Sequence, residues 1–264
     1  MTSSTAKTLL VKVPAVTIFF WIIKVLSTTV GETIADYVNT SFGLTDNSSA
    51  ADSTRIMNMT SLVMGGVLVL LLIVQFATRR YVPFVYWTSI VTISALGTMI
   101  ADNLHTNYGW QNVQLTILFG AILLVVFAIW WAQERTLSIK SINTRKREAF
   151  YWVAILATFA MGTAAGDIFL DDLGWPLTLS SVLFAGVIAL IALLWRFKVV
   201  GTVLAFWAIY VLTRPLGASM GDYLSLDAPN GLGYGPGLVS GIALGLIGAL
   251  TLYLSISKRD VIRD

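Results

Sequence analysis

FWIIKVLSTTVGETIAD, residues 20–36, is the first of four copies of one pattern in this chain. Each copy has an aromatic residue before a Trp, a Gly 10 residues after the Trp, and an Asp 5 residues after the Gly. The copies consist of Trp21, Gly31 and Asp36; Trp87, Gly97 and Asp102; Trp152, Gly162 and Asp167; and Trp207, Gly217 and Asp222. Fixed offsets in four copies indicate tandem structural repeats.

The composition is that of an integral membrane protein. Apolar residues make up 56% of the 264 residues and charged residues 12%, against about 25% charged residues in soluble domains. The absence of Cys excludes disulfides, thiolate metal sites and Cys nucleophiles. The single His105 leaves no His-rich metal cage and no Ser-His-Asp triad. The net charge of +3 does not indicate nucleic-acid binding, because the basic residues cluster at the edges of apolar segments.

Each copy lies in an apolar segment long enough to cross a bilayer, which takes about 20 residues. We therefore predict an all-α fold of eight transmembrane helices, because a backbone exposed to lipid must satisfy its own hydrogen bonds. The predicted spans are roughly 14–38, 56–78, 83–104, 112–133, 148–170, 177–197, 199–223 and 235–256. They form four two-helix repeats in a single transmembrane domain, at roughly 14–80, 81–140, 145–198 and 199–257.

The repeats predict a pseudo-symmetric bundle. The sequence allows both a pseudo-fourfold ring and a pairing of two halves. The even helices contain small residues, including Gly241 and Gly245 in a G-x-x-x-G motif, which predict close helix approach. The first repeat carries an insertion of about eleven residues around Asn47 to Arg55, judged from the delayed Gly66.

Basic residues set the predicted orientation. They occur before the first helix, after each even helix and in the C-terminal tail, whereas the opposite loops carry mainly Asp. The positive-inside rule then places both termini in the cytoplasm. Lys24 and Glu32 interrupt the first apolar run, so we interpret it as a permanent helix rather than a cleaved signal peptide.

Positions 7, 11 and 15 after each Trp share its helical face. The four stripes read Thr28, Glu32, Asp36; Ser94, Thr98, Asp102; Phe159, Thr163, Asp167; and Arg214, Ala218, Asp222. Polar stripes avoid lipid and face a bundle interior or a water-filled path. Lys24 and Arg214 are unique to their copies, and we expect an ion pair between Glu32 and Arg214. Pro215 follows Arg214 and permits a kink.

These residues predict an oxygen-rich cation site. Asp36, Asp102, Asp167 and Asp222 would form a ring, with Glu32 as a fifth, proton-coupled ligand, suited to Mn²⁺, Mg²⁺ or Ca²⁺. Lys24 and Arg214 would be internal counter-charges or gating residues. Several carboxylates in a low dielectric need a cation or protons to compensate them, which favours a metal transporter. The most specific form of this hypothesis is manganese export. No cofactor is expected beyond the transported ion.

Two other classes remain open. In a non-catalytic membrane scaffold or partner-binding subunit, the aspartates would only pack helices or lie solvated at the interface. The Trp and Gly residues of the repeats are interpreted as packing residues in either case. An intramembrane enzyme with paired Asp residues is the third class. We expect no enzyme and no catalytic residues, because no copy carries a distinct nucleophile and the carboxylates are spread evenly over four units.

The first copy also resembles a known family. Residues 12–17, KVPAVT, followed by 20–29, FWIIKVLSTT, and Gly31-Glu32-Thr33 with Asp36, resemble the bacterial membrane-anchored protein family of unknown function. The resemblance covers the whole chain and implies four tandem two-helix repeats, each with a characteristic Trp, in the bacterial inner membrane. Copies two to four keep Trp, Gly and Asp but lack the Lys and the Gly-Glu-Thr. The expected partners are membrane lipid and a metal cation, with no nucleic acid and with a homo-oligomer left open.

Overall fold

The computed structural model describes residues 11–45 and 47–262, and eight of its helices are long and apolar enough to cross a membrane. The helices are α1 Ile18–Ser41, α2 Ala50–Ala77, α3 Pro83–Tyr108, α4 Asn112–Glu134, α5 Arg145–Asp167, α6 Leu177–Arg196, α7 Thr202–Ser225 and α8 Pro236–Ser257. The described residues contain no strand. The predicted all-α architecture of eight spans is thus confirmed.

Polar side chains and prolines fix where the helices begin. The hydroxyl oxygens of Thr17, Ser49 and Thr144 accept hydrogen bonds from the first-turn amides of α1, α2 and α5. Pro83 and Pro236 open α3 and α8, where a missing amide hydrogen has no cost. α2 begins at Ala50, so part of the predicted insertion is helical rather than loop.

The odd helices form an inner ring in the order α1, α3, α5, α7 and back to α1. Each even helix packs on the odd helix of the next repeat, so that α2 covers α3, α4 covers α5, α6 covers α7, and α8 returns to α1. An even helix has few or no contacts with the odd helix of its own repeat. This arrangement is a pseudo-fourfold ring, one of the two architectures that the sequence allowed.

Glycines set the close spacing of the inner ring. An added Cβ on the Gly of each repeat would collide with the residue seven positions after the Trp of the next repeat. The four contacts are Gly31 with Ser94, Gly97 with Phe159, Gly162 with Arg214 and Gly217 with Thr28. These clashes would occur at 2.5–2.8 Å between carbon atoms. One contact type thus recurs at all four interfaces, including the one that joins the last repeat to the first.

The aromatic residue before each Trp forms a second recurring contact. It packs on the Trp of the next repeat with ring centroids 5.6–6.2 Å apart, in the pairs Phe20–Trp87, Tyr86–Trp152, Tyr151–Trp207 and Phe206–Trp21. The four aromatic residues before the Trp are buried. They close the inner ring at the end where α1 begins and α8 ends, called here the terminal end; the opposite end is called the loop end.

The even helices, which form an outer ring, pack differently from what the sequence predicted. An added Cβ on Gly241 or Gly245 would have open space around it, and the same holds for Gly66 and Gly186. The prediction that these small residues allow close helix approach is therefore wrong. The even helices present these faces outward. In each of α2, α4 and α6, only 17% of the most apolar 18-residue stretch is buried.

A buried ion pair holds the segment before α1 to α5. The Nζ atom of Lys12 lies 2.7 Å from a carboxylate oxygen of Glu148, and Gln75 donates to the other oxygen at 3.1 Å. The Lys12 amide also donates to the carbonyl of Ile142. Repeats one and three are thereby joined at the terminal end by charge-assisted hydrogen bonds.

Candidate functional site on the bundle axis

The interior of the ring is built in layers, with positions counted from the Trp of each repeat. From the terminal end, the layers are position 3 with Lys24, Ile90, Ile155 and Tyr210; position 7 with Thr28, Ser94, Phe159 and Arg214; position 11 with Glu32, Thr98, Thr163 and Ala218; and position 15 with Asp36, Asp102, Asp167 and Asp222. The first three layers are buried and the Asp layer is half-buried. Side-chain exposure therefore increases from the buried layers at positions 3, 7 and 11 to the Asp layer at position 15.

Arg214 occupies the centre of this interior. One terminal nitrogen lies 2.5 Å from a carboxylate oxygen of Glu32 and also donates to the Thr98 hydroxyl. The Nε atom donates to the Thr163 hydroxyl at 3.1 Å, and the other terminal nitrogen donates to the carbonyl of Thr28 at 3.2 Å. One guanidinium on α7 thus binds groups of α1, α3 and α5 and links all four inner helices. The predicted ion pair between Glu32 and Arg214 is present.

Lys24 differs from the expected counter-charge. It is fully buried, and its Nζ atom has no hydrogen-bond partner among the described residues. The ammonium lies 4.0 Å from the ring centroid of Phe159 and 4.2 Å from that of Tyr210. Cation–π attraction to these two rings stabilises the buried ammonium. The residue is therefore enclosed by aromatic rings rather than paired with a carboxylate.

This arrangement predicts the effect of removing the charge. We expect Lys24→Met to leave the thermal midpoint equal to or above that of the wild type, because a buried ammonium without a hydrogen-bond partner is costly. Met has a similar length and remains apolar against Phe159 and Tyr210. The measurement is thermal unfolding in detergent or nanodiscs, and a fall in the midpoint would show that the two cation–π contacts outweigh the cost of burial.

The four repeat aspartates lie one helical turn beyond position 11 on the same face. None of them takes part in the four ion pairs found among the described residues. The described residues also contain no group of three or more His, Asp or Glu side chains that could hold a metal ion. The carboxylates thus lie at the same level on four helices without forming a closed coordination site.

The charges of the site are arranged along the axis. Four aspartates stand at the loop-end side, and Arg214 with its partner Glu32 stands below them. Lys24 lies deeper still, above the aromatic closure. A layer of carboxylates attracts cations, whereas the buried guanidinium and ammonium repel them. Seen from the loop end, the axis thus presents the four aspartates first and the guanidinium of Arg214 next.

The sequence stripe missed the residues that close the terminal end. The hydroxyls of Tyr86 and Tyr151 lie 2.5 Å apart in the buried aromatic layer, and Tyr210 packs on Phe206 with centroids 5.6 Å apart. This aromatic layer could have been predicted from the aromatic residue that precedes every repeat Trp in the sequence. Thr98 and Thr163 were on the predicted stripe, and the contacts with Arg214 now give them a role.

The fold and this site define a multi-pass membrane protein built from four two-helix repeats around an acidic axis. The chain belongs to the family described as Repeat of Unknown Function (DUF347), whose model matches residues 19–52, 85–136, 150–199 and 205–260. Each match covers one of the four repeats, and together they cover most of the chain. Neither a curated protein nor a solved structure matches it.

Proposed function

We propose that this protein is a membrane transporter that moves a cation along the axis of the inner ring. The observation that carries the proposal is the acidic layer of four aspartates above the buried pair of Glu32 and Arg214. The proposed substrate is a divalent metal cation, with manganese favoured, and the proposed location is the bacterial inner membrane with both termini in the cytoplasm. The proposed direction is export.

The cost of charge in a membrane supports a transport role. Ionisable residues inside transmembrane segments are expensive and usually mark ion or substrate pathways. Lys24, Glu32 and Arg214 are buried within membrane-spanning helices of this chain. Three of the four glycine contacts that set the close spacing of the ring involve no charged side chain, and only Gly162 meets Arg214.

A divalent cation would complete the aspartate site. Hard divalent cations take about six oxygen ligands, and the aspartates of four neighbouring helices can supply carboxylate oxygens from all sides of the axis. Their mutual repulsion keeps them apart without a cation, and a bound cation would draw them together. Thr98 and Glu32, one turn below, are further oxygen groups for the ion as it moves inward.

Transport requires the terminal end to open. In this conformation the aromatic layer closes that end, whereas the Asp layer nearer the loop end is half-buried. Pro215 lies inside α7 next to Arg214 and against Gly166, where an added Cβ would approach Pro215 at 3.2 Å. Proline interrupts the hydrogen-bond ladder of a helix, so a bend of α7 at this point would move Arg214 and the aromatic residues below it together.

The scaffold hypothesis predicts different partners for the aspartate side chains. If they only packed helices, each carboxylate would be paired with a neighbouring helix, since an unpaired polar group in a packed interface is costly. The repeat aspartates form no ion pair among the described residues and remain half-buried. This arrangement disfavours a helix-packing device, and the metal measurement below separates a transport site from solvated interfacial aspartates.

The test is the metal content of cells that express the wild type beside single Asn variants of Asp36, Asp102, Asp167 and Asp222, read by mass spectrometry. We expect the wild type to lower cellular manganese or another single divalent cation, and each Asn variant to abolish at least 90% of that effect at equal amounts of folded protein. Asn keeps the shape of the side chain but removes the charge that attracts the cation.

Asp52→Asn is the matched control. Asp52 is exposed near the loop end on the outer helix α2, away from the axis, so this variant should retain wild-type export. If the wild type changes the content of no divalent cation, the transport proposal is wrong. If the Asn variants lose folded protein and the wild type exports nothing, the scaffold hypothesis replaces it.

A further inference from the structure

A cavity of about 820 Å³ lies at the terminal end, where the last repeat meets the first. Trp21 of α1 and Phe206 of α7 form part of its wall, with their ring centroids 5.7 Å apart. Ala192 and Trp195 of α6 form another part. Its volume falls within the range of about 300–1,000 Å³ that is common for small-molecule sites.

The cavity lies at the only junction of the ring that no covalent linker closes. At the other three junctions the chain runs directly from an even helix into the odd helix that it covers. α8 covers α1 without such a connection, because the two helices stand at opposite ends of the sequence. The seam is therefore held by side-chain packing and by the tail after α8.

The lining combines apolar walls with positive charge. Lys140, Lys258 and Arg259 line the cavity, together with apolar and aromatic side chains. No carboxylate is among the lining residues in the described part of the chain. The three basic side chains are exposed, and they come from the linker before α5 and from the tail after α8. A molecule that fits must carry negative charge at one end and apolar chains at the other.

The tail that supplies two of these charges is fixed in place. The carbonyl of Asp260 accepts a hydrogen bond from the Ala15 amide at 2.7 Å. A carboxylate oxygen of Asp260 accepts one from the Tyr81 hydroxyl at 2.6 Å. Because Asp260 directly follows Arg259, these bonds hold Lys258 and Arg259 at the mouth of the cavity. The basic cluster is therefore part of the fold.

We propose that this cavity binds an anionic phospholipid of the membrane leaflet at the terminal end. The acyl chains lie against Ala192, Phe206 and Trp21, and the phosphate binds Lys140, Lys258 and Arg259. Basic pockets between transmembrane helices bind anionic lipid headgroups in other membrane proteins. The lipid would bridge α6, α7, α1 and the tail, and so stabilise the one seam that lacks a linker.

The test compares purified protein in phosphatidylglycerol and phosphatidylcholine nanodiscs by thermal unfolding, and counts retained lipid by native mass spectrometry. We expect the wild type to retain phosphatidylglycerol and to unfold several degrees higher in it than in phosphatidylcholine. The double variant K258Q/R259Q should lose most of both effects. It should match the wild type in phosphatidylcholine, because both side chains are exposed.

The double variant R79Q/R80Q is the matched control, because it removes two exposed charges at the same end that do not line the cavity. Ala192→Trp provides a second test, because it fills the acyl space with the charges intact and should also lower lipid retention. Equal retention by the wild type and K258Q/R259Q would overturn the proposal. So would an equal loss in R79Q/R80Q, which would indicate a general effect of surface charge. Metal export is not part of this readout, so failure here leaves the transport proposal standing.

Discussion

Arg214→Met is expected to lower the free energy of unfolding by about 3–5 kcal/mol, the usual cost of breaking one partner out of a buried ion pair. Arg214 is 1% exposed and Glu32 is 8% exposed, so the remaining carboxylate would stay in a low-dielectric interior without its counter-charge. Thr98, Thr163 and the carbonyl of Thr28 would also lose their donor. The measurement is unfolding in detergent by a denaturant titration.

A double-mutant cycle separates the ion pair from the packing of the long side chain. Glu32→Gln alone leaves the guanidinium without its charge partner, and the double variant Glu32→Gln/Arg214→Met removes both charges. We expect the double variant to be more stable than Arg214→Met alone, because no uncompensated carboxylate remains. If the two losses simply add, the pair contributes nothing beyond packing, and Arg214 is not the electrostatic centre of the bundle.

The repeat glycines should be nearly as sensitive. Gly217→Ala and Gly97→Ala are each expected to lower the free energy of unfolding by about 1–3 kcal/mol, as overpacking of a close interface does. The new methyl group would meet Thr28 Cβ at 2.6 Å and Thr29 N at 2.9 Å in the first case, and Phe159 Cβ at 2.8 Å in the second. Backbone atoms are among these neighbours, so the inner helices themselves must move apart.

Gly186→Ala and Gly241→Ala are the matched controls. Both glycines lie inside outer helices, and an added Cβ has no neighbour within 4 Å among the described residues. Their thermal midpoints should equal that of the wild type or exceed it slightly, because Ala has the higher helix propensity. A rescue variant extends the comparison. Gly31→Ala should be destabilising alone and partly restored by Ser94→Gly, which removes the side chain that the new methyl group meets but leaves the Ser94 backbone carbon at 3.0 Å. Equal losses at inner and outer glycines would contradict the ring of close contacts.

The apolar segments and the fixed offsets were enough to predict eight helices in four repeats. A bilayer-spanning segment must satisfy its own backbone hydrogen bonds, so length and hydropathy decide its conformation locally. Helical periodicity also placed Glu32, Asp36, Arg214 and their counterparts on interior faces. These are properties of a single helix and follow from the residues alone.

The pairing of those faces depended on tertiary structure. Periodicity assigns a residue to a face, but the neighbouring helix and the depth at which two side chains meet depend on how all eight helices pack together. Thus a fourfold ring and two paired halves both remained open from the sequence. Lys24 was expected to be an internal counter-charge or gating residue, whereas the fold places its ammonium over the rings of Phe159 and Tyr210. It also expected close packing at Gly241 and Gly245, which point away from any neighbour in the described part of the chain.

The candidate site likewise depends partly on single helices and partly on how the helices pack together. The sequence alone determined that four aspartates and Glu32 face the interior of one membrane bundle. Only the tertiary structure decided that Glu32 is bound to Arg214, and that the half-buried aspartates form no closed coordination site among the described residues. The physical reason is that helical faces are fixed by local backbone geometry, whereas the distances between charges are set by the close glycine contacts that join four separate helices.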